Sequence, residues 1–433
     1  MPSPFSASLS LTLSFAVLLS LGLAIRFWLA SRQIRHVAQH RQRVPETFVQ
    51  HISLAAHQKA ADYTITKTRF GLLELAWGSA ALLGWTLLGG LDALNQLLLS
   101  WLGGGMAQQL ALLLGFVLIS SVLDLPLTLY QTFVIEERFG FNKMSMKLWL
   151  ADLGKSSLLG MVIGLPLAAL ILWLMGAAGA LWWLWAWCVW TGFNLALLLI
   201  YPSFIAPLFN KFKPLEDETL RTRVSALMQR CGFAAKGLFV MDGSKRSAHA
   251  NAYFTGFGAS KRVVFFDTLL AKLSPGEVDA VLAHELGHFK HKHVLKRMLS
   301  LFSLSLLAFA VLGGLSTQAW FYLGLGVRPN LIGIAGAAAA APTDALALLL
   351  FALTLPLLTF FVAPLFAQLS RQHEFEADAY AAAHTSGADL ARALLKLYED
   401  NASTLTPDPI YMRVYYSHPS ASERLARLSS PVA

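Results

Sequence analysis

His284 and His288 stand four residues apart, with Glu285 between them, in the run His284-Glu285-Leu286-Gly287-His288. On a helix that spacing puts both imidazoles on one face, where they can hold one tetrahedral Zn²⁺ while the glutamate serves as a general base. The chemistry implied is metal-assisted hydrolysis, in which Glu285 takes a proton from the attacking water and returns it to the leaving amine. A catalytic zinc also needs a third protein ligand. The chain has only two cysteines, Cys188 in a hydrophobic run and Cys231 standing alone, which argues against a thiolate site. The residues after His288 lack the glycine and later histidine of the metzincin pattern. The third ligand must therefore lie farther along the chain. The stretch Ser370-Arg371-Gln372-His373-Glu374-Phe375-Glu376-Ala377-Asp378 places Glu374 and Asp378 on one helical face, with Glu376 pointing away. Glu374 is the preferred ligand and Asp378 the acceptor that orients a ligating imidazole. His373, and after it Glu376, compete with Glu374 by chemistry alone.

These groups need a rigid frame. Ser274-Pro275-Gly276-Glu277 supplies an N-cap serine, a proline at the first helical position and a capping-box glutamate, so a helix should start just ahead of the motif. Val278, Val281 and Leu282 form its apolar stripe. The plainer reading of the motif is a solvated, histidine-rich helix end, since His291 and His293 follow among Lys290, Lys292 and Lys296. Upstream, Pro214 is expected to open an amphipathic helix with Leu220, Val224, Leu227 and Cys231 on one face. Gly237 to Met241, Asn251 to Gly256 and Arg262 to Phe266 read as short strands. A free strand edge beside the metal would bind an extended peptide by β-augmentation.

Membrane separates the two halves of the site. The chain is 56% hydrophobic and only 14% charged, the balance of a polytopic membrane protein. Seven apolar segments are long enough to span: Leu9–Ala30, Gly71–Gly90, Leu110–Phe133, Leu158–Gly176, Leu181–Tyr201, Leu299–Leu315 and Ala345–Phe366. Leu91 to Trp101 is apolar too and reads as a re-entrant or interfacial helix. The first span lacks a basic segment before it and a cleavage site after it, so it is expected to be retained. Arg32, Arg35, Arg41, Arg43, Lys59 and Lys67 follow it, whereas no basic residue precedes Leu9. The N-terminus should therefore face away from the cytoplasm, with the C-terminus and both parts of the metal site on the cytoplasmic side. A net charge of +9 is explained by such loops beside anionic lipid, and no nucleic-acid partner is expected. Ala-rich Gly336 to Pro342 is assigned to a loop on the far side.

Several further motifs carry a family likeness. His284 to His288, the Ser370-Arg371…Glu374…Ala377-Asp378 element, Asn251-Ala252-Tyr253-Phe254, the run Phe133 to Lys143, Ile205 to Phe212, and Ser417-His418-Pro419 with Glu423-Arg424 together resemble the type I CAAX prenyl proteases. These are integral-membrane zinc metalloproteases, and the likeness extends from the first span almost to the C-terminus. The resemblance implies a mostly α-helical polytopic protein, with seven helices around a chamber within the membrane and a small α/β, gluzincin-like protease domain. It implies one Zn²⁺ held by His284, His288 and Glu374, with Glu285 as general base and Asp378 behind a ligand. Asn251 would hold the substrate backbone, and Arg424 and His418 would lie near the site, His418 stabilising the oxyanion. Glu74 and Asp124, costly within spans, would face the hydrated chamber or else bond between helices.

The expected division is residues 1–205 for spans one to five, 206–296 for the protease segment, 297–370 for the last two spans and 371–433 for the segment completing the site. The substrate is a peptide or protein, with or without a prenyl group, and the bilayer is the other partner. The compartment is the bacterial inner membrane or the endoplasmic reticulum. A CAAX-type endopeptidase is the leading reading. A broad quality-control protease, like the heat-shock membrane metalloproteases, is the alternative, and a non-catalytic transporter or scaffold comes third.

Overall fold

The computed structural model describes residues 4–233, 237–255, 262–330 and 341–429. Among them six helices are long and apolar enough to cross a membrane: Phe5–His40, Met106–Glu136, Met146–Ala177, Gly179–Phe209, His293–Leu315 and Asp344–His384. Leu54–Trp85 and Gly90–Leu102, bent by 46° from each other, make a seventh when the pair is counted as one span. The apolar stretch Leu91 to Trp101 is thus the second arm of a bent pair. Glycine makes the bend possible: Gly89 has φ +79°, and a Cβ on Gly90 would lie 2.6 Å from the Gly84 carbonyl oxygen. Gly336 to Pro342 falls largely outside the described residues.

The spans do not close on a packed core along most of their length. Only 6 to 28% of the apolar windows of the six single-helix spans is buried. Packing concentrates at one end, where Trp85, Leu91, Leu112, Leu172, Trp182, Tyr322 and Leu346 form a buried cluster. Glu74 is half-buried and Asp124 exposed, and neither side chain bonds another described helix. That arrangement suits carboxylates facing a hydrated space within the membrane.

The fifth span leads into a mixed four-stranded sheet, with β1 Phe212–Pro214, β2 Gly237–Met241, β3 Ala252–Thr255 and β4 Arg262–Phe266 in the order β1-β2-β4-β3. β2 and β4 run parallel, and the outer pairings are antiparallel. β1 was not expected. Pro214 ends it at the sheet edge, where a missing N–H costs no ladder bond. The helix expected to open at Pro214 instead runs Glu218–Arg230, because the Asp217 carboxylate accepts from Leu220 N–H at 2.9 Å and caps it there. Its face of Leu220, Val224, Leu227 and Met228, with Cys231, joins Val263 and Phe265 in the core of the unit that carries the sheet. Val278, Leu282 and Leu286 of helix Pro275–Lys290 complete that core, and Tyr380 and Ala381 of the long helix Asp344–His384 close it from the other side. This long helix runs unbroken from the membrane segment into the metal-binding stretch.

Candidate metal centre and active site

Ser274 N–H donates to Glu277 Oε2 at 2.7 Å in the capping box that starts helix Pro275–Lys290. Lys396 Nζ also reaches Glu277 Oε2 at 2.7 Å, tying the helix start to helix Gly387–Asp400. The long helix crosses Pro275–Lys290 very closely, and Gly287 is the reason. A Cβ on Gly287 would stand 2.9 Å from Ala377 Cα and 3.2 Å from its carbonyl oxygen. The space left by Gly287 therefore lets Glu374 reach both histidines.

At that crossing His284 Nε2 lies 3.5 Å from Glu374 Oε2, and His288 Nε2 lies 3.4 Å from Glu374 Oε1. These separations are long for hydrogen bonds. They match two corners of a tetrahedron around Zn²⁺, which for bonds of about 2.0 to 2.1 Å are roughly 3.3 Å apart. The three ligand atoms all lie within 4.8 Å of one another. Glu374 is buried, and its Oε2 finds no hydrogen-bond partner among the described residues. A buried carboxylate with one oxygen lacking a donor, each of its oxygens facing an imidazole nitrogen, is the chemistry of a cation site.

Each imidazole is held from its far edge. Asp378 Oδ1 is 2.8 Å from His284 Nδ1. Arg424 Nε and Nη2 donate to Asp378 Oδ2 and Oδ1 at 2.8 and 2.5 Å, a buried bidentate pair. Burial alone would lower the His284 pKa, but the Asp378 and Glu374 carboxylates outweigh it and push it up to about 9. The pocket thus favours positive charge at His284. Arg424 is held more firmly protonated by Asp378 despite its burial. His288 Nδ1 lies 3.0 Å from His293 Nδ1, so His293 is buried against the site and is not part of a solvated helix end. Only His291, of that pair, is exposed.

His373 does not join the ligand cluster; its ring stacks on His293 with centroids 3.9 Å apart. Glu376 also stays outside the cluster and meets His293 Nε2 at 2.8 Å. Glu285 is half-buried on the ligand helix and makes no hydrogen bond or ion pair to another described residue, which leaves its carboxylate free for water. His418 Nε2 approaches Glu374 Oε1 at 3.4 Å from an exposed loop, and Arg424 Nη1 lies 3.6 Å from Glu374 Oε2. Asn251 is exposed just before β3, an outer strand of the sheet, and its Oδ1 accepts from Ala252 N–H at 2.8 Å. It touches none of the ligand cluster.

Three further contacts support the site, none of them assigned from the sequence. Arg371 Nη1 donates to the Tyr416 carbonyl at 2.6 Å, pinning the loop that carries His418 to the ligand-bearing helix. Arg32 of the first span donates to Asp408 at 2.9 Å, fixing the other end of the same segment. The run Phe133 to Lys143 works through its turn: Ala248 N–H donates to the Phe141 carbonyl, and Lys143 N–H to the Arg246 carbonyl, both at 3.1 Å. It thereby holds the approach to Asn251 and β3.

Comparison with known proteins agrees with this arrangement. Residues 33–211 match the family described as CAAX prenyl protease N-terminal, five membrane helices, and residues 214–432 match peptidase family M48. A CAAX prenyl protease 1 homolog of Arabidopsis thaliana is 35% identical over 88% of this chain and 89% of its own. CAAX prenyl protease 1 of Saccharomyces cerevisiae is 36% identical over 72% of this chain and 69% of its own. The crystal structure of S. mikatae Ste24p superposes with a TM-score of 0.90 at 32% identity, covering 97% of this chain and 99% of that one. The chain belongs to peptidase family M48, in its CAAX prenyl protease 1 branch, and is a multi-pass integral-membrane metalloendopeptidase.

Proposed function

We propose that the protein is a zinc endopeptidase that trims C-terminal prenylated peptides, cutting after the lipidated cysteine. The observation that carries the reading is the meeting of His284, His288 and a buried Glu374, one of whose carboxylate oxygens is left without a protein donor. Likeness to proteases named for CAAX substrates supports the substrate class.

Zinc, when bound by these three side chains, supplies a Lewis acid that polarises the scissile carbonyl and acidifies water. Glu285 takes the proton from the attacking water and delivers it to the leaving amine. His418 donates a hydrogen bond to the carbonyl oxygen as it gains charge. Asp378, clamped by Arg424, fixes the His284 ring. The substrate lies extended along the free side of β3, where main-chain hydrogen bonds hold it in register, and Asn251 grips its backbone at the end nearest the site. Exposed apolar side chains of the spans would give the prenyl chain an apolar wall. The site faces the cytoplasm and the N-terminus the opposite side, as the basic loop following the first span argues.

Digestion of one peptide sequence with and without a farnesyl group tests the substrate class. The proposal expects release of the last three residues from the prenylated form at a much higher kcat/KM. Equal cleavage of both forms would favour the broad quality-control reading.

A further inference from the structure

His288 and His284 are supported by different chemistry. His284 rests directly on the Asp378 carboxylate, whereas His288 rests on another imidazole: Nδ1 to Nδ1 of His293 at 3.0 Å, with His293 Nε2 on Glu376 Oε2 at 2.8 Å. We infer that His293 and Glu376 form a relay that positions His288 for the metal, as Asp378 and Arg424 do for His284. The inference rests on the proposed ligand set.

Proton arithmetic allows one arrangement. His288 turns Nε2 toward Glu374, so a metal takes that lone pair and Nδ1 carries the hydrogen. Nδ1–H then donates to His293, whose Nδ1 must be the bare nitrogen. The His293 hydrogen sits on Nε2 and donates to the Glu376 carboxylate. Every donor meets an acceptor, and the ring planes of both histidines are fixed.

The fold goes to some trouble to build this. Lys292, the second of the two residues between helix Pro275–Lys290 and helix His293–Leu315, adopts φ 58° and ψ 31°, a left-handed conformation that non-glycine residues avoid. The turn brings His293, first residue of the sixth span, back against His288 on the preceding helix. His373 then stacks on His293 at an interplanar angle of 11° and closes its outer face. His293 is buried, whereas the side chain of Glu376 is 47% exposed. The relay therefore reaches from a half-buried ligand through buried His293 to the protein surface, and it couples the candidate metal centre to a membrane helix. A neutral imidazole pushes less charge onto His288 than Asp378 pushes onto His284, so the two ligands are expected to be unequal.

The test is zinc affinity of the purified full-length chain in detergent, measured by competition with a chelating dye. His293→Phe keeps the ring and its stack on His373 but removes the acceptor. His293→Asn places Oδ1 near the position of Nδ1 and restores it. The relay predicts zinc binding weakened roughly 10- to 100-fold in the Phe variant and within about three-fold of wild type in the Asn variant. The visible spectrum of the cobalt-loaded protein should change in the Phe variant and return in the Asn variant. Wild-type affinity in His293→Phe, or equal weakening in both variants together with a lower metal-free melting temperature, would overturn it. His288→Ala separates the two levels of the argument. If it loses zinc while His293→Phe does not, only the relay fails; if it binds zinc as wild type does, the ligand set itself fails.

Discussion

Asp378 Oδ1 lies 2.8 Å from His284 Nδ1, on the opposite edge of the ring from Glu374. The same carboxylate receives both arms of Arg424, so its position is fixed from two sides. Asp378→Asn keeps an acceptor for His284 but loses the charge that Arg424 grips. Metal affinity should fall roughly 10- to 100-fold without disappearing. Chelator sensitivity of activity measures this, and a wild-type response would remove Asp378 from the site.

Gly287 sets the distance between the two halves of the site. Because its nearest neighbours are backbone atoms of Ala377, Gly287→Ala must push the long helix away from the histidines. We expect a stability loss of about 1 to 3 kcal/mol and weaker zinc binding, the overpacking penalty compounded by displaced ligands. Thermal unfolding in detergent and metal content report the two effects. Unchanged zinc affinity would mean that the crossing has slack.

Much of this site was legible because its parts are local. Capping residues 274 to 277 announced the ligand helix, and helical spacing separated Glu374 and Asp378 from Glu376. What stayed hidden depends on how separate segments meet. Nothing in Lys292 signals a left-handed turn, since lysine carries no glycine-like cue, so His293 read as a solvated residue. Arg371 belongs to the element that carries the family likeness, but its partners are carbonyls more than forty positions away, which spacing could not reveal. Pro214 misled because proline opens helices and also ends edge strands, and only the Asp217 cap separates the two. The bend between Trp85 and Gly90 was ambiguous because apolar composition continues across it while the backbone turns.

Asp408 gives a pH-dependent handle. Burial raises the cost of its charge, but Tyr411 N–H, the Arg32 guanidinium and Ile410 N–H outweigh that and hold its pKa below the usual carboxylate value. A depressed folded pKa contributes stability above the unfolded value of about 4, and the contribution is lost as pH falls through the folded value. Asp408→Asn should therefore melt lower than wild type near neutral pH, with the gap closing below about pH 4. Melting curves across that range decide it. A gap that stays constant on acidification would show that the Asp408 charge is not what joins the first span to the C-terminal segment.

Orientation follows from counting the bent pair as one span. Once Cys188 and Cys231 are replaced, a cysteine at Ser3 should react with an impermeant thiol reagent in intact cells. One at Ser429 should react only after permeabilisation. Labelling of both from outside would mean an even number of crossings and would move the metal site to the opposite face.

The central claim is that His284, His288 and Glu374 hold the ion while Glu285 moves the proton, and metal analysis paired with peptidase assays tests it most directly. Glu285→Gln should abolish cleavage while retaining about one zinc per chain, whereas His284→Ala, His288→Ala and Glu374→Ala should lose both zinc and activity. Full zinc and activity in Glu374→Ala, with loss of both in His373→Ala, would contradict the account.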